Sequence, residues 1–439
     1  MKMNSEYLIP NGENCTCGKQ HVLPVKEIIT QNNAISIIPE IVTKYGAKRP
    51  FILADKNTYS VAGEKVALAL ENANIAYSKY VYDLDFVEPD ERAVGSAFMH
   101  YDNKCDMIIG VGSGVINDIS KILANTTKNT YVIVATAPSM DGYASATSSM
   151  SMDGLKISLP SKCAEVIIGD LDVLKNAPLK ALTSGLGDML AKYISICEWR
   201  IAHEITGEYY CENVAELVRK ALNKCVTNAK GLLARDEDAV KAVFEGLIIG
   251  GVAMAYAGVS RPASGVEHYI SHVLDMRGLE FGTNVETHGI QCAVGTFIAS
   301  KVYEKVLALK PNKEKALSFV KEFEYADWSK ALTGLLGSGA LTMIKNEEKE
   351  GKYDKESHAK RLDVIITKWD KIISIIKEEI PSSKVIEDIL TTINCPKTIK
   401  EMGIECDEQM VFKATKDIRD KYVLTRLLWD LGVINEIKI

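Results

Sequence analysis

The sequence predicts an α/β domain over residues 1–175, built on a mostly parallel sheet with crossover helices, followed by an all-helical domain over residues 176–439. Three observations lead there. At 439 residues the chain exceeds what one hydrophobic core usually supports, so two domains are expected. Up to about residue 175, short apolar runs rich in β-branched residues alternate with helical patterns, the signature of βαβ units. After Pro178 the strand signals largely vanish and long helical patterns run to the C-terminus.

Taken in order, FILAD (51–55), AYSKYVY (76–82), DMIIGVG (106–112) and YVIVAT (131–136) read as strands, with helices over 60–73, 90–102 and 114–124 between them. A hairpin is expected over 145–160, where Asp153-Gly154 supplies the positive-φ turn. EVIIGD (165–170) then closes the sheet region. Residues 242–260 are apolar for nearly the length of a bilayer span, but they contain Glu245 and four glycines and lack flanking charge and aromatic belts. A helix buried on all sides in the helical domain is the expected structure. The charge run 345–363 reads as a solvated helix end or surface loop.

Composition excludes some functions. The net charge is −6, and lysines and arginines are spread rather than clustered, which argues against nucleic acid and anionic membranes as partners. Ten scattered cysteines, with no apolar secretory leader opening the sequence, fit free thiols in a reducing cytoplasm. Cys15-Thr-Cys17 with His21 has the form of half a zinc knuckle, lacking a second ligand pair at suitable spacing.

The motifs that carry chemistry begin at MIIGVGSGVINDISKIL, where Gly110, Gly112 and Gly114 join a strand to a helix. Such a junction offers unpaired N–H groups at a helix N-terminus, to which glycine lets a phosphate approach. The third glycine falls at 114 where G-x-G-x-x-G requires 115, so a tight turn without ligand stands beside the phosphate reading. Asp118, read as part of the first helical turn, either pairs with the helix dipole or serves the site. Asp55, at a strand end, either binds ribose hydroxyls or caps the turn after it. VATAPSMDGYAS (134–145) is a second strand-end loop, and strand C-terminal ends are where open parallel sheets bind ligands.

In RPASGVEHYISH (261–272), Ser264-x-x-Glu267 has the form of a capping box, and His268 and His272 lie one turn apart on one helix face. An i, i+4 histidine pair can clamp a metal. His288 in THGIQCAVG and Asp188 in TSGLGDMLAKYIS, taken as the first turn of a helix starting near 183, are further donors. One aspartate and two histidines with an open position would make a Lewis-acid site suited to Zn²⁺, Ni²⁺ or Fe²⁺. Asp188 could equally pair with Lys192 four residues on.

The order of these motifs resembles the dehydroquinate synthase-like, iron-containing alcohol dehydrogenase superfamily. TAPSMDGYAS, GLGDMLAK and RPASGVEHYISH resemble the sn-glycerol-1-phosphate dehydrogenases within it, and RDKYVLTRLLWDLGVI (419–434) and CTCGKQH their longer bacterial form. The resemblance implies a cytoplasmic enzyme of phospholipid biosynthesis that reduces dihydroxyacetone phosphate reversibly, using NAD, with NADP as a second possibility, and one divalent ion, zinc or nickel. It implies Asp188, His268 and His288 as metal ligands. Asp55, Gly112, Gly114, Val115, Ile116, Asn117, Asp118, Thr136, Ala137, Pro138, Ser139 and Ser145 would line the dinucleotide. Asp141 and His272 would be the catalytic residues, and with Asp188 and Arg261 they would contact a small phosphorylated substrate. Arg261 could instead be a structural ion-pair partner. A homo-oligomer, dimer or larger, without membrane insertion is expected. The alternatives are a glycerol dehydrogenase acting on an unphosphorylated polyol, a dehydroquinate synthase-like cyclase that uses NAD catalytically, and a non-enzymatic metal- or nucleotide-binding protein.

Overall fold

The computed structural model describes residues 15–23, 25–152 and 155–439. Contacts divide the chain into two compact units, residues 1–189 with 213–259, and residues 190–212 with 260–439.

The first unit holds a six-stranded, all-parallel sheet of β1 (Glu27–Gln31), β2 (Pro50–Asp55), β3 (Ser78–Tyr82), β4 (Met107–Gly112), β5 (Thr130–Ala135) and β8 (Val166–Asp170), in the order β1-β8-β5-β4-β2-β3. β8 therefore lies inside the sheet, and β1, whose signal EIITQ is short and half polar, lies at the edge beside it. β6 (Thr147–Met152) and β7 (Leu155–Pro160) form the expected antiparallel hairpin as a separate ribbon; its Asp153-Gly154 turn lies outside the described residues. Phe51, Ile52, Leu53 and Ala54 are all fully buried, so both faces of the sheet are covered. That is why the strands read as continuous apolar runs and not as alternating ones.

The apolar stretch forms the helix Glu237–Ala257, with Asp236 capping its start and Gly258 at φ +71° ending it. It is the one described helix long and apolar enough to cross a membrane, and 78% of its apolar window is buried. It was expected inside the helical domain. It packs against the sheet unit instead, because its Phe244 needs the space that Gly169 of β8 leaves: a Cβ there would lie 2.1 Å from Phe244 Cε1. At the other end, a Cβ on Gly251 would lie 2.8 Å from the Asp141 carbonyl oxygen.

The second unit is helical. The helices Val266–Phe281 and His288–Val306 pack closely, their approach permitted by Gly295, whose Cβ would lie 2.7 Å from the Glu267 carbonyl oxygen. The charge run 345–363 is more ordered and more buried than a solvated end. It spans parts of two helices, Gly339–Glu350 and Lys355–Thr367, and His358 within it is fully buried. Arg361 makes two bonds of 3.1 and 3.0 Å to the buried Asp430 carboxylate, which also accepts from Tyr422 Oη at 2.8 Å. Satisfied in this way, a buried charge can be held without an excessive desolvation cost. The extended C-terminus is thereby tied into the helical unit.

Gly169→Ala is expected to destabilise the protein by about 1–3 kcal/mol, the usual cost of overpacking a core. Urea denaturation checks it, and an unchanged midpoint would mean that Phe244 has room to move.

Candidate functional site

In the first unit, Asp55, the loop from Gly112 to Asp118 and the loop from Thr136 to Ser139 follow the C-terminal ends of β2, β4 and β5, which are neighbours in the sheet. The sheet order thus gathers them on one edge, where ligands of open α/β sheets bind. Ser113 precedes the helix Gly114–Thr127 without a side-chain cap, and the first helical bond runs from Asn117 N to Ser113 O. The amides of Gly114, Val115 and Ile116 therefore precede the helical ladder, as an anion-binding turn requires.

The glycines have different reasons. A Cβ on Gly110 would meet Ser120 Oγ at 2.7 Å, and one on Gly112 would meet Ile116 at 2.6 Å. Both are needed so that the helix can lie close on the strand, and none of the three glycines has a positive φ. Gly114 would meet only Met140, at 3.5 Å, so the packing does not require a glycine there.

Several residues expected at the cofactor also brace the loops. Asn117 accepts from Tyr131 Oη at 2.9 Å and donates to the Gly142 carbonyl at 3.1 Å. The Ser145 hydroxyl lies among Lys121 Nζ and the Gly142 and Thr147 carbonyls. Asp118 stands beyond the first helical turn, 3.6 Å from Lys121 Nζ, and burial raises its carboxyl above the ordinary range although Lys121 opposes this. Asp55 does cap: Oδ1 accepts from the amides of Asn57 and Thr58 at 2.9 Å each, and Asp55 N donates to Thr58 Oγ1 at 3.1 Å. The buried Lys121, which sequence analysis did not single out, fastens three parts of the second loop.

Asp188 is fully buried, and Oδ2 accepts from Asp141 N at 2.9 Å, so two of the expected site residues meet. Its helix spans Leu179–Leu190, which puts Asp188 in the last turn and not the first. There the helix dipole disfavours a carboxylate, so the charge must be favoured by something other than the helix. The same helix comes close to the second loop: Ser184 Oγ donates to the Ser139 carbonyl at 3.1 Å, and Gly185 leaves no room for a Cβ against the Pro138 carbonyl.

In the second unit, His268, His288 and Cys292 offer ligand atoms within 4.8 Å of one another. The His268 and His288 ring centroids are 5.0 Å apart, and the His272 ring lies 6.5 Å from that of His288. His268 Nδ1 lies 2.8 Å from Glu267 Oε1, and His288 Nδ1 lies 3.1 Å from Ser271 Oγ. The carboxylate oxygen at His268 Nδ1 favours the proton there and leaves Nε2 as its ligand atom, while the Ser271 hydroxyl holds His288 Nδ1 as donor or as acceptor. Cys292, one helical turn after His288, places Sγ 3.6 Å from His288 Nε2. Its i, i+4 spacing from His288 was a usable signal that sequence analysis passed over.

Glu267 is not half of a capping box with Ser264. The helix starts at Val266 with Gly265 as its cap, and Glu267 Oε1 accepts from Gly265 N at 2.6 Å as well as from His268. Burial, then the neighbouring Glu267, raises the carboxyl of Glu198 to about 8. Burial, Arg419 and the other two histidines push His272 well below its usual range, which keeps its ring neutral.

Arg261 is buried, and its guanidinium is committed. Nε and Nη2 hold the two oxygens of Glu208 at 2.6 and 2.5 Å, and Nη1 donates to the Tyr422 carbonyl at 2.9 Å. The structural ion pair left open by the sequence is what forms, which corrects the expectation of substrate contact. Arg419 and Lys421, whose charges are felt at His272, are the cations that sequence analysis missed.

The sequence pattern of the iron-containing alcohol dehydrogenase family matches residues 29–178. A glycerol-1-phosphate dehydrogenase of Halalkalibacterium halodurans, named for NAD(P)+, is 32% identical over 294 residues, covering 66% of this chain and 74% of that protein. One from Archaeoglobus fulgidus is 32% identical over 279 residues, covering 62% and 75%. Among solved structures, a probable glycerol dehydrogenase from Sinorhizobium meliloti 1021 aligns with a TM-score of 0.57 at 15% identity, over 94% of this chain and 96% of that one. Sulfoacetaldehyde reductase from Bifidobacterium kashiwanohense, solved with NAD+, aligns with a TM-score of 0.57 at 15% identity, over 94% and 97%. The structural likenesses speak for a shared fold.

If Arg261 is structural, Glu208→Ala and Arg261→Ala should each cost about 1.5–3 kcal/mol, as loss of a charged hydrogen-bonded partner does. The double variant should cost little more than either single one. Thermal melting of the three proteins checks this, and additive losses would break the pair.

Proposed function

The chain belongs to the glycerol-1-phosphate dehydrogenases of the iron-containing alcohol dehydrogenase superfamily and is an oxidoreductase, and on that basis we propose that it reduces dihydroxyacetone phosphate reversibly to sn-glycerol-1-phosphate with a nicotinamide cofactor and one divalent ion. Asp188, His268 and His288 would hold the ion, zinc or nickel. The observation that carries this is the pair of imidazoles with Nδ1 occupied by Glu267 and Ser271. Two neutral nitrogen donors and a buried carboxylate fit a borderline-hard divalent cation. The dinucleotide would lie along the β2, β4 and β5 edge, its phosphates at the amides of Gly114 to Ile116. When bound, the nicotinamide supplies hydride and the ion supplies Lewis acidity toward the C2 carbonyl.

The chain's own residues do the rest. Asp141, held against Asp188 through its amide, would orient a substrate hydroxyl. His272, kept neutral, would relay a proton to the reduced oxygen, giving one from its N–H as the other ring nitrogen takes one up from water. With Arg261 occupied by Glu208, the substrate phosphate needs other cations, and Arg419 and Lys421 are the candidates. Burial, Arg261 and Arg419 lower the Lys421 ammonium to about 7, and its Nζ already donates to the Ser264 carbonyl at 2.8 Å, which makes Arg419 the better candidate.

The commitment of Arg261 favours one second reading, a glycerol dehydrogenase that has no phosphate to bind. NADH oxidation decides between them. Dihydroxyacetone should be worse than dihydroxyacetone phosphate by orders of magnitude in kcat/KM, since a remote phosphate helps to orient the reacting carbon. Arg419→Ala should remove most of that difference. Comparable efficiency on both substrates would establish the second reading, and absence of net NADH consumption would point to a cyclase.

Metal content distinguishes the histidines. His268→Ala, His288→Ala and Asp188→Ala should lose the ion, whereas His272→Ala should keep it while turnover falls about 10²–10⁴-fold. Equal metal loss in the His268 and His272 variants would restore the i, i+4 clamp. Glu267→Gln should weaken metal affinity about 10–100-fold with the fold intact, as removal of an orienting carboxylate does. Unchanged affinity would deny it that role.

Asp55 retains one carboxylate oxygen beyond its capping bonds, and that oxygen would accept from a ribose hydroxyl and repel a 2′-phosphate. NADH should outperform NADPH, and Asp55→Ala should narrow the gap. A preference for NADPH in the unmodified enzyme would remove Asp55 from the cofactor site.

A further inference from the structure

A second group of metal-ligating side chains lies away from these residues, at the start of the described chain. Cys15, Cys17 and His21 offer ligand atoms within 4.8 Å of one another, and Cys17 Sγ is 3.3 Å from His21 Nε2. A tetrahedral zinc ion, about 2.3 Å from sulfur and about 2.0–2.1 Å from nitrogen, keeps its ligands roughly 3.5–3.8 Å apart. The spacing is therefore close to that of a formed site.

The surroundings orient the ligands as a metal requires. His21 is 1% exposed, and Nδ1 lies 3.1 Å from the Tyr256 carbonyl, which can only accept. That nitrogen carries the proton, so the Nε2 lone pair faces Cys17, the outer-sphere arrangement found around zinc histidines. Asn213 Nδ2 donates to Cys15 Sγ at 3.2 Å, which favours the thiolate. Residues 15–23 form no helix or strand, and besides His21, Lys19 fixes them by donating to the Ala257 carbonyl at 3.0 Å. A closed structural site needs a fourth donor. Cys211 is buried and stands two residues before Asn213, the residue that reaches Cys15.

We propose that Cys15, Cys17, His21 and Cys211 hold a structural zinc ion that fastens the N-terminal segment, independently of any ion at the histidine helices. The sequence hid it because three ligands crowd into seven positions and the fourth is remote, so no second pair appears at zinc-finger spacing.

Zinc content and cobalt spectroscopy of the whole protein test this. The Cys15→Ser/Cys17→Ser variant should carry about one equivalent of zinc less than the unmodified protein, whatever the second site holds. Cobalt-substituted protein should show thiolate-to-cobalt charge-transfer absorption that is lost in this variant, weakened in Cys211→Ser, and kept in Cys292→Ser. His21→Cys, which preserves a ligand, should retain the zinc that His21→Ala loses, so that a folding defect is told apart from loss of the site. Equal zinc in the double variant and the unmodified protein would overturn the proposal. So would a charge-transfer band that disappears with Cys292, or one that Cys211→Ser leaves at full strength.

Discussion

One buried carboxylate organises the helical unit. Removing Glu267 from water costs several kcal/mol, and the hydrogen bonds that offset this converge on one of its two oxygens. Gly265 N and His268 Nδ1 converge on Oε1. Oε2 has no hydrogen-bond partner, and burial raises the carboxyl of the neighbouring Glu198. A Cβ at residue 265 would lie 2.5 Å from Glu198 Oε2 and 2.8 Å from Glu267 Oε2, so only glycine fits between them. Glu198 in turn accepts from Val266 N and Leu424 N, linking the histidine helix to the C-terminal segment. The reward for this cost is a histidine ring that cannot turn.

The sheet unit meets a different constraint. Its strands are apolar on both faces, so the polar groups of a ligand site can be offered only at strand ends, by backbone amides and by the side chains of the loops. Those loops must be rigid to be useful. Lys121 and Asn117 brace them through bonds to the carbonyls and hydroxyl of residues 142–147, and Tyr131 holds Asn117 in turn. Polar residues near a glycine loop thus divide into those that hold the loop and those that could face a ligand. Sequence spacing cannot separate the two.

The strands β2, β3, β4, β5 and β8 were legible because a parallel sheet leaves continuous β-branched runs in the sequence. β1 was not, because a five-residue edge strand with polar ends gives little periodicity. The helix Glu237–Ala257 was legible as buried, but its partner was not, since an all-apolar helix carries no face to say what covers it. At the candidate site, residue types and spacing singled out His268, His288 and Asp188, and the family resemblance added Asp141. They paired Glu267 with Ser264 where it accepts from Gly265 N, and placed Asp188 in a first turn, because both readings depend on a helix boundary that the sequence places only loosely. Arg261 was legible as a cation, while Glu208, its partner, is 53 residues away in sequence and invisible to any local pattern.

The proposed ion requires His268 and His288 to carry the proton on Nδ1 and to present Nε2. Long-range ¹H–¹⁵N correlation spectra of protein labelled at histidine nitrogen, recorded before and after zinc addition, test it directly. The account predicts that both rings are Nδ1-protonated and that zinc shifts their Nε2 signals, while His272 keeps a bare ring nitrogen unaffected by direct coordination. Nε2-protonated rings at 268 and 288, or Nε2 signals indifferent to zinc, would contradict it.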